Sequence, residues 1–566
     1  MDARALLDGT SRGGPRVVAC LLGLAVAIVY GQVIGFEFVE WDDPTYVTEN
    51  PSVQAGLTWR GLVWACTTWH ASNWHPLTWL SHMLDQAVFG GWAGGHHLTS
   101  LLLHAANTVL VYLLFERTTR ATGRSAVVAG LFALHPLHVE SVAWVSERKD
   151  VLSGCAVLLA LHAYVDWAET RRPRAYALAL VGFILACLAK PMAVTFPGLL
   201  VLLDVWPLGR LSVARRATRT SDPGKPRSRR ATARAAAPER ESRAAWGSLV
   251  VEKLPFVAVA VAVSVVTVAA QRHSGAVAET VALPLADRVG NALISYVAYL
   301  WMTMWPSGLA FFYPYRQSPS IWTPLGAAAV LIAATVAAVR VARTHPYVTV
   351  GWLWYLGMLV PVIGFVQVGD QAMADRYTYL PLLGPFVIVA WGAVDLADHW
   401  RLPTRGLAAA AAVVLATCGV LSIRQAATWR ASVPLFEHAL AVTADNYTAH
   451  DLLGYVLYAD RRLDEAAVHF AAAVAARPTM YVAHNNLGLA LASQGRFADA
   501  IPHYRDSLRL RPTYATAAFN LAIALDRTGE RDAASREVER ATALARQQGD
   551  AALMTQITQW LRVRGQ

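Results

Sequence analysis

The 566-residue chain is predicted to be all-α: a polytopic helical bundle of about eleven membrane spans, followed by a solenoid of short paired helices. Three observations predict this. The chain is 55% hydrophobic and only 16% charged, with 20 Trp, whereas an ordinary soluble domain carries about 25% charged residues. Apolar runs close to the roughly 20 residues of a membrane helix recur along the first 425 positions. Beyond about residue 426 those runs give way to a 34-residue period.

The net charge of +10 suggests a nucleic-acid partner at first sight, but its distribution excludes one. Eleven Arg or Lys face three acids between Pro207 and Ser248, so +8 of the +10 lies in one loop. From Arg430 onward fifteen Arg meet fourteen acids. Charge gathered in a loop between apolar blocks is membrane-protein patterning. Only Cys66 of the five cysteines clearly lies outside an apolar run, so neither a disulfide framework nor a CxxC metal site is implied.

The apolar runs fall near 17–35, 97–115, 125–139, 151–168, 175–189, 192–206, 249–270, 322–342, 347–367, 380–397 and 406–424. Arg16 precedes the first, no small-residue cleavage site follows it, and it reads as an anchor. Arginines at 12 and 16, 117–124, 171–174, 340–343 and 401–405, with the 207–248 loop, all fit a cytoplasmic side if the aromatic run 291–305 does not cross fully. The N-terminus is then inside and the C-terminus outside. The basic loop has no apolar period and reads as disordered, retaining topology and attracting anionic lipid. Two domains follow: 1–425 in the membrane, and 426–566 outside it.

In the tail, Leu487-Gly488 repeats Leu453-Gly454 at a distance of 34, as Ala500, Tyr504 and Pro512 repeat Ala466, Phe470 and Pro478. Leu-Gly, then Ala, an aromatic and Pro at this period is the tetratricopeptide pattern. Units run about 447–480 and 481–514, with a worn third at 515–548. Stacked units form a concave groove suited to peptide or protein.

Chemistry concentrates in three segments on the expected outer side. Glu40-Trp41-Asp42-Asp43-Pro44 carries adjacent carboxylates, open to reading as a helix cap, a solvated loop, a metal site or a catalytic pair. His135-Pro136-Leu137-His138-Val139-Glu140 leads into Ser146-Glu147-Arg148-Lys149-Asp150. His135, His138 and Glu140 lack a fourth metal ligand nearby, and histidines at helix ends also satisfy backbone groups. Arg148 and Lys149 oppose the positive-inside bias and suit a phosphate at the membrane surface. Asp375-Arg376-Tyr377 is either an aromatic anchor with a local ion pair or a second phosphate contact. Lys190, before Pro191, either snorkels or meets an anion. Tyr313-Pro314-Tyr315-Arg316 could extend a substrate-facing wall. No GxGxxG, Walker loop or GxSxG stands in a credible context, which disfavours nucleotide-driven transport.

Together EFVEWDDPTYVTENP, HPLHVESVAWVSERKDVLS, DRYTYLP and the repeat tail resemble the transmembrane and tetratricopeptide repeat O-mannosyltransferases and their bacterial relatives. More distantly they resemble polyprenyl-phosphate-dependent glycosyltransferases of the GT-C class. The resemblance implies a GT-C-like bundle that passes a sugar from a polyprenyl-phosphate donor to an acceptor on the outer or lumenal face. It maps the general base to Asp42 or Asp43. Val-Ser-Glu-Arg-Lys-Asp departs from the Gly-Arg-Ala-Asp ending of the animal proteins, and the repeat tail is short; sugar and acceptor stay open.

The chemistry expected is inverting transfer of mannose or a similar hexose to Ser/Thr of a protein held by the repeats. Asp42 and Asp43 serve as base and orienting group, and Arg148, Lys149 and Arg376 hold the phosphate. Glu140, Asp150, His138, Lys190 and Asp375 stand behind them. No cofactor is required, and the Asp pair leaves room for a divalent metal without implying one. Transfer to a lipid or polysaccharide, or a non-catalytic envelope scaffold, are the alternatives. Ala- and Arg-rich usage points to a bacterial inner membrane with periplasmic repeats.

Overall fold

The computed structural model describes residues 14–211, 246–273, 284–315, 320–365 and 369–564. Most of the basic 207–248 loop, together with Arg12 and Arg316, lies outside them. Apart from one two-stranded antiparallel sheet, β1 (Tyr313–Pro314) with β2 (Gln371–Met373), the described elements are helices.

The first part comprises α1 (Gly14–Tyr30), α2 (Trp59–Thr67), α3 (Pro76–Phe89), α4 (Ala93–Thr119), α5 (Thr122–Leu134), the short α6 (Val139–Ala143), α7 (Arg148–Thr170), α8 (Pro173–Ala189) and α9 (Phe196–Val205). Then follow α10 (Trp246–His273), α11 (Leu285–Met304), α12 (Trp322–Arg340), α13 (Pro346–Leu359), α14 (Leu383–His399) and α15 (Thr404–Ala427).

Among the described residues six helical segments are long and apolar enough to cross a membrane: Gly14–Gly35, Ala93–Thr119, Val145–Thr170, Gly247–Arg272, Trp322–Arg340 and Thr404–Arg430. The chain is an integral membrane protein. Thr122–Leu134 and Pro136–Ala143, bent by 54°, make a seventh span if they cross together.

The four other apolar runs form shorter helices, Pro173–Ala189, Phe196–Val205, Pro346–Leu359 and Leu383–His399. Proline is the common cause, because it lacks an N–H and clashes with the preceding turn. Pro191 separates α8 from α9, α13 ends just before Pro361, and α14 starts only after Pro381. Helix α11 spans the aromatic run at 291–305; it opens with Asp287 and Arg288 and is not among the six.

The tail is a stack of antiparallel helix pairs: α16 (Ser432–Val442), α17 (Tyr447–Ala459), α18 (Leu463–Ala476), α19 (Tyr481–Ser493), α20 (Phe497–Leu510), α21 (Ala515–Arg527), α22 (Arg531–Gln548) and α23 (Ala551–Arg564). The Leu-Gly signal has a steric origin. A Cβ on Gly454 would lie 2.8 Å from the Phe470 ring, and one on Gly488 would lie 2.7 Å from that of Tyr504. Glycine lets each helix pair close over its aromatic.

The stack is fixed to one end of the bundle. Phe311 packs at a tilt on Phe436, with ring centroids 5.3 Å apart, and Phe312 edgewise on Tyr447 at 5.7 Å. Asn446 Nδ2 donates to the Phe312 carbonyl at 3.0 Å and caps α17 by accepting from the Ala449 N–H. Arg477 pairs with Asp370 at 2.7 Å.

Candidate active site

The adjacent acids leave α1 on a single loop but have different surroundings. Asp43 is buried. Its Oδ2 accepts from the Val39 N–H at 2.9 Å, and its Oδ1 from the Ser146 N–H at 3.0 Å and the Ser146 hydroxyl at 2.5 Å. The carboxylate therefore clamps this loop to the turn ahead of α7. Burial pushes Asp43 up to about 7, against the pull of those three hydrogen bonds.

Asp42 is exposed, and among the described residues its carboxylate accepts no hydrogen bond. Its φ of +62° lies in the left-handed region, where a non-glycine residue is strained. The anchoring of Trp41 and Asp43 on either side holds it there. Trp41 accepts a 2.8 Å hydrogen bond from Trp144 Nε1 through its carbonyl and stacks on that ring at 6.2 Å. Enough protein surrounds Asp42 that desolvation raises its carboxyl above the usual range. The Lys149 and Arg376 charges oppose that rise and Glu147 adds to it.

Those same charges form a cluster around Glu147, which is fully buried. Lys190 Nζ lies 2.6 Å from Glu147 Oε1, Lys149 Nζ 3.2 Å from Oε2, and Arg376 Nε 3.6 Å from Oε2. Two further acids complete it: Asp150 pairs with Lys190 at 2.5 Å, and Glu140 pairs with Arg376 Nη1 at 2.6 Å while accepting from the Arg376 N–H at 2.9 Å. Buried acids of this kind keep cations charged in a low-dielectric setting.

Aromatic faces frame the cluster. Lys149 lies 4.8 Å from the Tyr46 ring and 5.7 Å from that of Trp144, and Arg376 is 5.3 Å from Trp144 and 5.1 Å from Tyr377. Arg376 Nη2 has no partner among the described residues, so a charged N–H fork remains for an anion.

Arg148 corrects the expectation that it joins Lys149 on a phosphate. Successive helical residues point about 100° apart, and Arg148 faces inward, fully buried. It pairs with Asp85 at 2.6 Å, donates to Ser100 Oγ at 2.8 Å and Ser81 Oγ at 3.1 Å, and meets the His96 carbonyl. Lys190, expected only in support, takes its place in the cluster.

The histidines hold backbone. His135 Nε2 meets the Thr303 carbonyl at 3.0 Å, and its Nδ1 accepts from the Leu137 N–H. His138 Nδ1 lies 2.7 Å from the Phe132 carbonyl. Among the described residues no three His, Cys, Asp or Glu side chains converge as metal ligands. Asp375 is buried and accepts from the Tyr313 hydroxyl at 2.9 Å across the β1–β2 ribbon. Burial and the nearby Glu140 raise its carboxyl well above the ordinary range. Its role is to fix the Arg376 loop.

Sequence reasoning missed Glu147, which carries the cluster, and Asp85, the partner of Arg148. Both are single acids without a periodic signal. The aromatic density around 41–46 and 144 was the available sign of a walled recess.

The fold defines an all-α integral membrane protein with a tetratricopeptide tail. The tetratricopeptide repeat family matches residues 479–547. The chain is 24% identical to the protein O-mannosyl-transferase TMTC1 of Homo sapiens over 509 residues, which is 81% of this chain and 55% of that protein. It is 32% identical to Tmtc2 of Drosophila melanogaster over 202 residues, 33% of this chain and 21% of that one. Identity to the Mus musculus TMTC2 is 39% over 93 residues, 16% of this chain and 11% of the relative. The chain is thus similar in sequence to these O-mannosyl-transferases and spans about half the length of the curated relatives it matches.

Proposed function

We propose that the protein is an inverting glycosyltransferase. It moves mannose or a similar hexose from a polyprenyl-phosphate donor to a Ser or Thr hydroxyl of a protein, on the side of the membrane where the repeats lie. The observation that carries this reading is the exposed Asp42 carboxylate, without a hydrogen-bond partner among the described residues, beside Lys149 and Arg376 of the cluster on Glu147. Similarity to the O-mannosyl-transferases supports the sugar and the protein acceptor.

In this reading the acceptor hydroxyl loses its proton to Asp42 as its oxygen attacks the anomeric carbon. The bond from that carbon to the phosphate oxygen breaks from the opposite face, and its electron pair stays on the phosphate. Lys149, Lys190 and Arg376 hold the charge that develops there. One displacement inverts the anomeric centre. Asp43 orients the loop and does not take the proton. Arg148 belongs to the supporting scaffold, with Asp85. The N-terminus is assigned to the cytoplasm and the repeats to the periplasm of a bacterial inner membrane.

Labelled polyprenyl-phosphate mannose, offered with a Ser/Thr-rich peptide, tests the reading. Purified wild-type protein is expected to label the peptide, and Lys149→Met and Arg376→Met are expected to raise the donor KM at least tenfold. Failure of every sugar in a donor panel, with intact protein, would sink the assignment.

A further inference from the structure

The repeat stack holds both halves of the candidate site. On the Asp42 side, the Glu37 N–H donates to the Arg430 carbonyl at 3.0 Å, and the Glu40 N–H donates to Ser432 Oγ at 2.9 Å. Ser432 is the first residue of α16. Between these bonds and Asp42 stands Trp41, set against Phe311 at 5.2 Å and Phe312 at 6.2 Å, the two rings that pack on Phe436 and Tyr447. Trp144, which donates to the Trp41 carbonyl, stacks at 5.8 Å on Trp429, just ahead of α16.

On the Arg376 side, Tyr447 at the start of α17 donates through its hydroxyl to the Asp370 carbonyl at 3.2 Å. Arg477 lies 4.7 Å from the Tyr447 ring and pairs with the Asp370 carboxylate. Asp370 opens the segment that runs through β2 to Arg376.

We propose that Ser432 is a positioning residue, and that α16 and the first repeat, α17–α18, together set the separation between Asp42 and the Arg376 loop, so that the solenoid is part of the catalytic centre. This rests on the reading of Asp42 as the base. Three features support it. Asp42 occupies a strained conformation that relaxes unless both flanks are held. The holding bonds reach its flank from a segment about 390 residues away, with no local substitute for the Glu40 N–H. A displacement of about 1 Å at a reacting group can cost on the order of 100-fold in rate.

The test uses full-length protein. Ser432→Ala is expected to lower kcat at least tenfold while the donor KM stays within twofold and the thermal midpoint is unchanged. Ser432→Thr, which keeps the hydroxyl, is expected to restore most of the rate. Arg477→Met should lower kcat less, because that ion pair is partly exposed, and the double variant should fall at least to the product of the two. Arg509→Met, in an exposed pair farther along the stack, serves as the unaffected control.

Wild-type kcat in Ser432→Ala overturns the proposal. So does a loss that tracks a fallen thermal midpoint and is not restored by Thr. Asp42→Asn, run alongside, separates the two layers: full transfer by that variant overturns the base assignment, and the positioning proposal with it.

Discussion

Two charge clusters mark opposite ends of α7, and among the described residues only one has a neighbouring acid that accepts no hydrogen bond. Near residue 164, about 22 Å along the helix from Lys149, the Tyr164 hydroxyl donates to both oxygens of the buried Asp204 at 2.9 Å. Asp204 also pairs with Arg210 at 2.9 Å and with Lys253. Glu252 joins Arg210 at 2.8 Å and Arg171 at 2.6 Å. There each carboxylate is taken up by cations, and the network ties α9 and α10 to α7. At the other end a carboxylate is left unpaired, and an arginine keeps an unused N–H group facing aromatic rings. Charge density alone does not distinguish them. What distinguishes them is whether an acid and a neighbouring cation keep hydrogen-bonding capacity to spare.

The same contrast holds within each adjacent pair. Asp43 and Arg148 are buried and fully bonded, whereas Asp42 accepts no hydrogen bond among the described residues and Lys149 lies between Glu147 and the Tyr46 and Trp144 rings. The largest effect expected from this contrast is on Asp42→Asn, a loss of transfer of about 1,000-fold, within the range for removal of a general base. Arg148→Met should act on stability instead. It leaves Asp85 buried without its partner, at about 3–5 kcal/mol, read as a lowered thermal midpoint and poor recovery in detergent. Lys149→Met should weaken the donor with a smaller loss of stability, because Lys190 and Arg376 still face Glu147.

Two smaller effects sharpen the boundary. Lys253→Met, in the distal cluster, should destabilise the membrane domain while the donor KM of surviving protein is unchanged; a shifted KM would break the contrast. Gly488→Ala pushes a Cβ onto Tyr504 and should cost about 1–3 kcal/mol in the repeats, measurable as a lowered unfolding transition for the tail. The pH profile supplies a further check. A base works only when ionised, and Asp42 is raised above the ordinary carboxylate range. The acid limb of kcat/KM should therefore rise with pH through a midpoint higher than that of a free aspartate. Replacing Asp42 by Asn should remove that limb.

The fold was legible wherever a period or a run carried it. Repeat glycines and aromatics 34 apart located the solenoid because the contact they encode is local in sequence. Hydropathy registers the apolar runs but not the points at Pro191, Pro361 and Pro381 where the helices within them begin or end. The site was legible as segments and not as partnerships. Asp42 and Asp43 look equivalent in a string, and their difference arises from Ser146, 103 residues away. Arg148 looked as available as Lys149 because Asp85, its partner, sits in a loop helix with no visible link to it. The tie between Ser432 and the Asp42 loop crosses 392 residues, a distance at which no pattern in the chain speaks.

The central claim is that one acid of the pair does chemistry and the other holds the loop. Asp42→Asn and Asp43→Asn, purified side by side and assayed for both transfer and thermal midpoint, test it most directly. The account predicts that Asp42→Asn melts like wild type and transfers about 1,000-fold more slowly, whereas Asp43→Asn melts lower because an amide N–H₂ then faces a donor. Undiminished transfer by Asp42→Asn, or a loss confined to Asp43→Asn with its stability intact, would contradict it.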